Sequence, residues 1–140
     1  TIRCVYEPDA VGWFYPASLT EIMTCLIALE NGNLSDVVTV SESALADLDE
    51  DSSVAGLVVG EQMTLENLLY CMMVESANDA CTVIAEQFAG SQEAFVERMN
   101  TRAKELGCTG TQFVNAHGLP DEQQYTRQRH WKNCGNSAAI

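Results

Sequence analysis

Apolar residues recur at helical spacing along 18–30, and this stretch predicts the most regular helix of the chain. Its apolar positions are Leu19, Ile22, Met23, Leu26, Ile27 and Leu29. Pro16 restricts the backbone just before them, and Ser18 is a good N-cap residue. We therefore expect a helix that starts at Ser18 and buries one broad apolar face.

Three later stretches show the same spacing and predict three more helices. They run from 65 to about 75, from 79 to 88 and from 92 to 106. Thr64 and Ser91 precede the first and the last of them and are predicted to cap these helices. Helices therefore dominate the predicted fold.

Short β-branched or alternating stretches predict a few strands between the helices. Strands are predicted at 1–6, 37–40 and 112–114, and 55–60 is interpreted as a strand or an extended segment. Ser41 is predicted to cap a short helix over 43–48. Loops are expected at 7–15 and 47–53, and a turn at 115–120.

Length and charge narrow the classes of protein. With 140 residues and 46% hydrophobic residues, the chain is long enough for one domain with its own core. Its net charge of -13 would be repelled by nucleic acid, so no nucleic-acid partner is expected. No apolar run approaches 18 residues, so no membrane span is expected, and the first residues do not have the order of a signal peptide.

Cysteine and histidine spacing gives no strong sign of a metal site. The six cysteines are Cys4, Cys25, Cys71, Cys81, Cys108 and Cys134, and no two form a CxxC pair. Buried free thiols are the favoured interpretation, and a disulfide framework is the alternative. His130 and Cys134 are four residues apart, but two ligands do not make a site. No metal or cofactor is therefore predicted, and His117 is interpreted as a turn residue.

Two polar clusters at predicted helix junctions could carry chemistry. Ser18 and Glu21 share a face at the start of the first helix, where a serine could act as a nucleophile. Ser76 and Asn78 follow the second helix and could hold a substrate amide or relay a proton. Each cluster also has a structural explanation: Ser-x-x-Glu matches a capping box, and Ser76 or Asn78 could cap the next helix.

Seven stretches in order along the chain together resemble one enzyme family. They are 15–24, 37–41, 55–57, 60–61, 68–70, 76–80 and 115–120. The chain is similar, over about 6–126, to serine D-Ala-D-Ala carboxypeptidases, the low-molecular-mass penicillin-binding proteins of bacterial cell walls. The resemblance implies the helical lobe of the penicillin-recognition (β-lactamase/transpeptidase-like) α/β fold, mostly helical, with a few short strands and an incomplete sheet.

The resemblance also implies roles for the polar clusters. Ser18 would be the acylated nucleophile, and Ser76 and Asn78 would form the second motif of a Ser-x-x-Lys, Ser-x-Asn and Lys-Thr-Gly set. The substrate would be a peptidoglycan peptide or a β-lactam, and the location would be the cell envelope. No cofactor is implied.

The chain departs from this pattern in two ways. Glu21 stands where the family has its lysine base, and a carboxylate beside an anionic transition state is unfavourable. No Lys-Thr-Gly occurs in the 140 residues. We therefore expect a truncated member of the family that is inactive or nearly so.

The predicted domain division and the alternative function depend on the end of the sequence. Residues 1–126 would form the partial carboxypeptidase-like domain, and 127–140, with three basic residues, would form a divergent tail. The alternative to a crippled enzyme is a non-catalytic relic or binding scaffold. Such a scaffold would expose sheet edges and apolar surface and could form a homo-oligomer to cover them.

Overall fold

Helices make up most of the ordered structure, as the apolar spacing predicts. The computed structural model describes residues 13–46, 48 and 52–127. The helices are α1 (Thr20–Asn31), α2 (Glu42–Leu45), α3 (Leu65–Glu75), α4 (Asn78–Ala89) and α5 (Gln92–Glu105). The strands are β1 (Trp13–Phe14), β2 (Val37–Thr39), β3 (Gln62–Thr64) and β4 (Thr126–Arg127). The predicted strand at 1–6 and nearly all of the predicted tail lie outside the described residues.

Helix α4 lies at the centre of the core. It packs against α1, α2, α3 and α5, and its first eight residues are all buried. A helix that is buried on every side has few charged positions, and α4 has only Asp79 and Glu86. The N-terminal end of α4 is thereby held against α1 and α3.

The strands form two small antiparallel pairs in the described part of the chain. β2 pairs with β3 through Val38 opposite Met63, and β1 pairs with β4 through Phe14 opposite Thr126. Arg127 lies 4.2 Å above the Trp13 ring, a cation–π contact that supports the second pair. This confirms the prediction of a mostly helical chain with an incomplete sheet.

The N-cap predictions at three helices are confirmed, because Ser41, Thr64 and Ser91 each accept a hydrogen bond from a backbone N–H three residues later. Of the two alternatives predicted for 55–60, the strand does not form: this segment lies in a loop, and the strand lies at 62–64 instead. The pairing partner of β3 is β2, so a contact distant in sequence decides where the strand lies.

The predicted strand at 112–114 is reduced to one bridge between Gln112 and Tyr125. The Asn100 side chain of α5 accepts from the Phe113 N–H at 2.8 Å and donates to the Phe113 carbonyl at 2.9 Å. Both backbone groups of Phe113 are thus used by a side chain, so no strand can pair with them there.

The four cysteines in the described part of the chain form no disulfide. Cys81 and Cys108 are buried, and Cys25 and Cys71 are half-buried. The favoured interpretation of buried thiols is therefore confirmed for Cys81 and Cys108, whereas Cys25 and Cys71 are thiols that are only partly buried. No described helix is long and apolar enough to cross a membrane.

Candidate active site

Ser18 lies in a tight turn that leads directly into α1. Residues Ala17–Leu19 form a single 3₁₀ turn, and α1 begins at Thr20. The backbone is already helical at Ser18 and Leu19, so no extended residue is present from which a side chain could cap the helix. The prediction that Ser18 is an N-cap is therefore wrong, and its exposed hydroxyl is available for other contacts.

Strained backbone precedes Ser18. Ala17 has φ +49°, a left-handed conformation that costs about 1–3 kcal/mol for a residue other than glycine. Such strain persists where surrounding contacts hold it, and it is frequent beside functional side chains.

Ser76 approaches Ser18 from the junction between α3 and α4. It ends α3 in the left-handed conformation, with φ +53° and ψ +43°. Its Oγ lies 2.8 Å from Ser18 Oγ and 2.5 Å from Glu21 Oε1. The N-cap of α4 is Ala77, which makes no side-chain cap bond, so the interpretation of Ser76 or Asn78 as a cap of α4 is wrong.

The hydrogens of these three side chains can be placed by elimination. An ionised Glu21 only accepts, so the single Ser76 hydrogen points to Glu21. The Ser76 oxygen is then free to accept, and the Ser18 hydroxyl donates to it. The three side chains form one directed chain from Ser18 through Ser76 to Glu21.

Burial dominates the electrostatics of Glu21, which is only 4% exposed. Desolvation by burial raises the pKa of Glu21, and the nearby hydroxyl groups of Ser76 and Ser18 oppose this shift. The ion pairs in the described residues are those of Arg102 with Glu30 and Glu105, so none neutralises Glu21. Its carboxylate bonds Ser76 across the site, so the capping-box explanation does not account for it.

Asn78 opens α4 and is buried at the same junction. Its N–H donates to the Ser53 carbonyl at 2.8 Å, and Ser53 Oγ donates to the Glu75 carbonyl at the end of α3. The junction that carries Ser76 and Asn78 is therefore tied to segment 53–57.

Asp79 completes this attachment, and its role is not predicted from the sequence. Its carboxylate accepts from the N–H groups of Ala55, Gly56 and Leu57 at 2.9, 2.9 and 3.0 Å. Asp79 is 2% exposed. The helical spacing of α4 does not predict this contact. The one sequence signal that could have found it is an acidic residue in the first turn of a mostly apolar helix.

The structure brings together Ser18, Glu21 and Ser76 through direct bonds and places Asn78 two residues beyond Ser76. In the described residues, no group of three His, Cys, Asp or Glu side chains is placed to hold a metal ion. The arrangement places an exposed hydroxyl next to a second hydroxyl and a buried carboxylate, and groups of these types can serve in acyl transfer as nucleophile, proton relay and proton acceptor.

A family model described as D-alanyl-D-alanine carboxypeptidase matches residues 1–136. The chain is 39% identical over 131 residues to D-alanyl-D-alanine carboxypeptidase DacF of Bacillus subtilis, covering 90% of this chain and 33% of that protein. It is 39% identical over 130 residues to DacC of Escherichia coli, covering 87% of this chain and 32% of DacC. The chain thus spans about a third of the curated relatives it matches.

Solved structures agree with the sequence comparisons. The D-alanyl-D-alanine carboxypeptidase DacD from Francisella tularensis superposes with a TM-score of 0.86 at 35% identity, over 95% of this chain and 33% of DacD. The Streptomyces K15 DD-transpeptidase superposes with a TM-score of 0.83 at 29% identity, over 95% of this chain and 54% of that one.

Proposed function

Because the chain belongs to the D-alanyl-D-alanine carboxypeptidase family, we propose that Ser18 is the nucleophile of an acyl-transfer site with Glu21 in the place of the base. The observation that carries this proposal is the directed hydrogen-bond chain from Ser18 through Ser76 to Glu21. The substrate class is a peptidoglycan peptide ending in D-Ala-D-Ala, or a β-lactam that imitates it. The protein would act in the cell envelope, where such peptides occur.

The acylation step follows from the direction of these bonds. Ser18 Oγ attacks the carbonyl carbon of the substrate while its proton passes to Ser76 Oγ. The Ser76 proton moves to Glu21 at the same time. The tetrahedral intermediate then collapses to a Ser18 ester, and the departing amine takes a proton back through Ser76. Asn78, two residues further on, holds the substrate amide in this proposal.

Glu21 makes this step slow in either protonation state. When it is ionised it can accept the proton, but its negative charge opposes the oxyanion that develops beside it. When it is protonated it can no longer act as a base, and burial extends the pH range in which this occurs because it raises the pKa of Glu21. Loss of a well-placed base costs a factor of about 10² to 10⁴. We therefore propose that turnover by this chain is absent or nearly so.

The test is intact mass after incubation with a penicillin. The unaltered chain, Glu21→Lys and Ser18→Ala are incubated side by side, and the modified residue is located by peptide mapping. We expect a drug-sized gain on Ser18 that is about 10² to 10⁴ times faster in Glu21→Lys than in the unaltered chain. Ser18→Ala should show no gain.

Two outcomes would contradict the proposal. Rapid acylation of the unaltered chain at a rate equal to that of Glu21→Lys would show that Glu21 is not the defect. A gain in neither chain, with folding confirmed by circular dichroism, would show that Ser18 is not an activated nucleophile here.

An exposed apolar face favours a second candidate function, which is self-association. Leu34, Tyr70, Met73 and Val74 are 46%, 62%, 45% and 71% exposed, and the first three border one groove with Leu69. A groove bordered by exposed apolar side chains is typical of an interaction site. The occupant that we propose is a second copy of the chain.

Light scattering across a concentration series tests this candidate. A dimer that dissociates in Tyr70→Glu, but not in the control Tyr15→Glu, would support a homo-oligomer through this face. A monomer at all concentrations would refute it.

A further inference from the structure

The turn at 115–118 packs directly on the backbone that precedes the proposed nucleophile. Gly118 has φ +91°, and a Cβ placed on it would lie 2.0 Å from the Ala17 carbonyl oxygen and 3.1 Å from the Ser18 nitrogen. In proteins a Cβ atom essentially never lies within 3.0 Å of a heavy atom outside its own and the two adjacent residues. Position 118 therefore requires glycine for two reasons, its left-handed backbone and its contact with Ala17.

Side chains within the turn hold its shape. Asn115 Oδ1 accepts from the Gly118 N–H at 2.7 Å, and Asn115 Nδ2 donates to the Leu119 carbonyl at 3.0 Å. Both ends of one amide are thus used to close the turn around Gly118.

One direct hydrogen bond and one link through the Gln124 side chain attach the turn to α1. Thr24 Oγ1 donates to the Ala116 carbonyl at 2.7 Å in a fully buried contact. Gln124, which is 1% exposed, accepts from the N–H groups of Val114 and Asn115 at 3.0 and 3.2 Å. Its amide nitrogen lies 3.5 Å from Thr20 Oγ1, at the first residue of α1.

We infer that the 115–118 turn holds the strained Ala17–Ser18 backbone in place, and that Gly118 is a positioning residue for the Ser18 hydroxyl. A strained backbone such as that of Ala17 persists only where neighbouring groups prevent other conformations. Gly118 is such a neighbour, because it packs directly against the Ala17 carbonyl group. The turn reaches Ser18 through the backbone and takes no part in proton transfer. This inference rests on the proposed function, in which Ser18 is the attacking group.

The test compares Gly118→Ala with Gly90→Ala, each made in the unaltered chain and in Glu21→Lys. Gly90 is a matched control because it has φ +80° and no atom within 4 Å of its Cβ position, so its substitution adds backbone strain without a steric contact. It lies at the far end of α4 from Asn78, about 18 Å away along the helix. Acylation by a penicillin is followed by mass at several drug concentrations, which separates the maximal rate from the half-saturating concentration.

We expect Gly118→Ala to lower the maximal acylation rate by about 10- to 100-fold, because a 1 Å misplacement of a reacting group has an effect of this size. The half-saturating concentration should stay within about 3-fold, since the substrate-binding groups are elsewhere. Gly90→Ala should lower stability without changing either constant. An equal loss of rate in both variants, or a change confined to the half-saturating concentration, would overturn the inference.

Amide resonances provide a readout that does not depend on acylation. The Ser18 and Thr20 N–H signals should shift in Gly118→Ala and stay in place in Gly90→Ala. If no chain is acylated, the proposed function fails, while unshifted Ser18 signals in Gly118→Ala would overturn the inference by themselves.

A second variant covers the case in which Gly118→Ala does not fold. Thr24→Val keeps the buried shape and removes the bond to Ala116. We expect Thr24→Val to lower the maximal acylation rate by several-fold and to leave the half-saturating concentration unchanged. An unchanged maximal rate would contradict the inference.

Discussion

Asp79→Asn should lower the stability of the chain far more than a neutral substitution of similar shape normally does. The Asp79 carboxylate accepts from three successive backbone N–H groups. An asparagine can keep its oxygen toward Ala55, but its NH₂ group would then face the N–H groups of Gly56 and Leu57. Two donors would lose their acceptor and meet another donor instead.

The expected cost follows from these two bonds. A hydrogen bond to a charged group contributes about 1.5–3 kcal/mol to stability. Gly56 is exposed, so water replaces part of its loss, whereas Leu57 is half-buried and loses more. The free-energy cost of burying the Asp79 charge is absent in the asparagine variant, and this offsets part of the lost stability. We expect the free energy of unfolding to fall by about 2–4 kcal/mol.

Urea denaturation of the unaltered chain, Asp79→Asn and Glu86→Gln measures this effect. Glu86 is a matched control because its carboxylate accepts from the hydroxyl groups of Ser41 and Ser43 at 2.6 and 2.8 Å. Hydroxyl groups can rotate to donate or accept, so Glu86→Gln should cost less than about 1 kcal/mol.

Hydrogen exchange separates the local effect from global unfolding. The Gly56 and Leu57 amides should exchange faster in Asp79→Asn, and those of the β2–β3 pair should change only as far as global stability does. Equal costs for Asp79→Asn and Glu86→Gln, or unchanged exchange at Leu57, would refute the reasoning from donor and acceptor geometry.

Two further predictions follow from burial. Burial raises the pKa of Glu21 above 4.5, so the folded chain binds a proton more tightly than the unfolded chain, and the free energy of unfolding should fall as pH rises from about 4.5 to the folded pKa and then level off. Urea denaturation at several pH values should show this fall in the unaltered chain relative to Glu21→Gln. If the free energies of unfolding of the two chains run parallel with pH, the prediction is contradicted. Phe95→Ala should lower the free energy of unfolding by about 3–5 kcal/mol, because Phe95 is fully buried. Val74 is 71% exposed, so Val74→Ala should change the free energy of unfolding by no more than about 0.5 kcal/mol. Similar changes in the two variants, measured by urea denaturation, would be inconsistent with the burial pattern.

The helices follow closely from local sequence. Apolar spacing locates α1, α3, α4 and α5 to within two residues at each end, because an amphipathic period and a capping side chain are both local properties. The strands are less predictable, since β3 forms where β2 lies beside it and 112–114 is prevented from pairing by Asn100 of α5. Partners distant in the sequence decide these segments.

The candidate site divides in the same way. Ser18, Glu21, Ser76 and Asn78 are identified as candidates from two short motifs and a family resemblance, and the family is confirmed. The division at residue 126 stays a prediction, and so do the roles of these four residues. Both capping explanations fail because backbone conformation decides what a serine can reach: Ser18 is already within a helical turn, and Ser76 ends a helix in the left-handed region.

The sequence by itself determines the kinds of chemical group present and the helices that carry them, and the family resemblance adds the prediction that Glu21 stands in the place of a lysine base. Tertiary structure alone decides that a carboxylate at position 21 is buried and bonded to Ser76, 55 residues away. It alone places the Asp79 carboxylate under segment 55–57 and Gly118 against Ala17. The physical reason is that pKa shifts, hydrogen-bond direction and steric contact depend on which atoms are neighbours in space, and local sequence patterns do not contain that information.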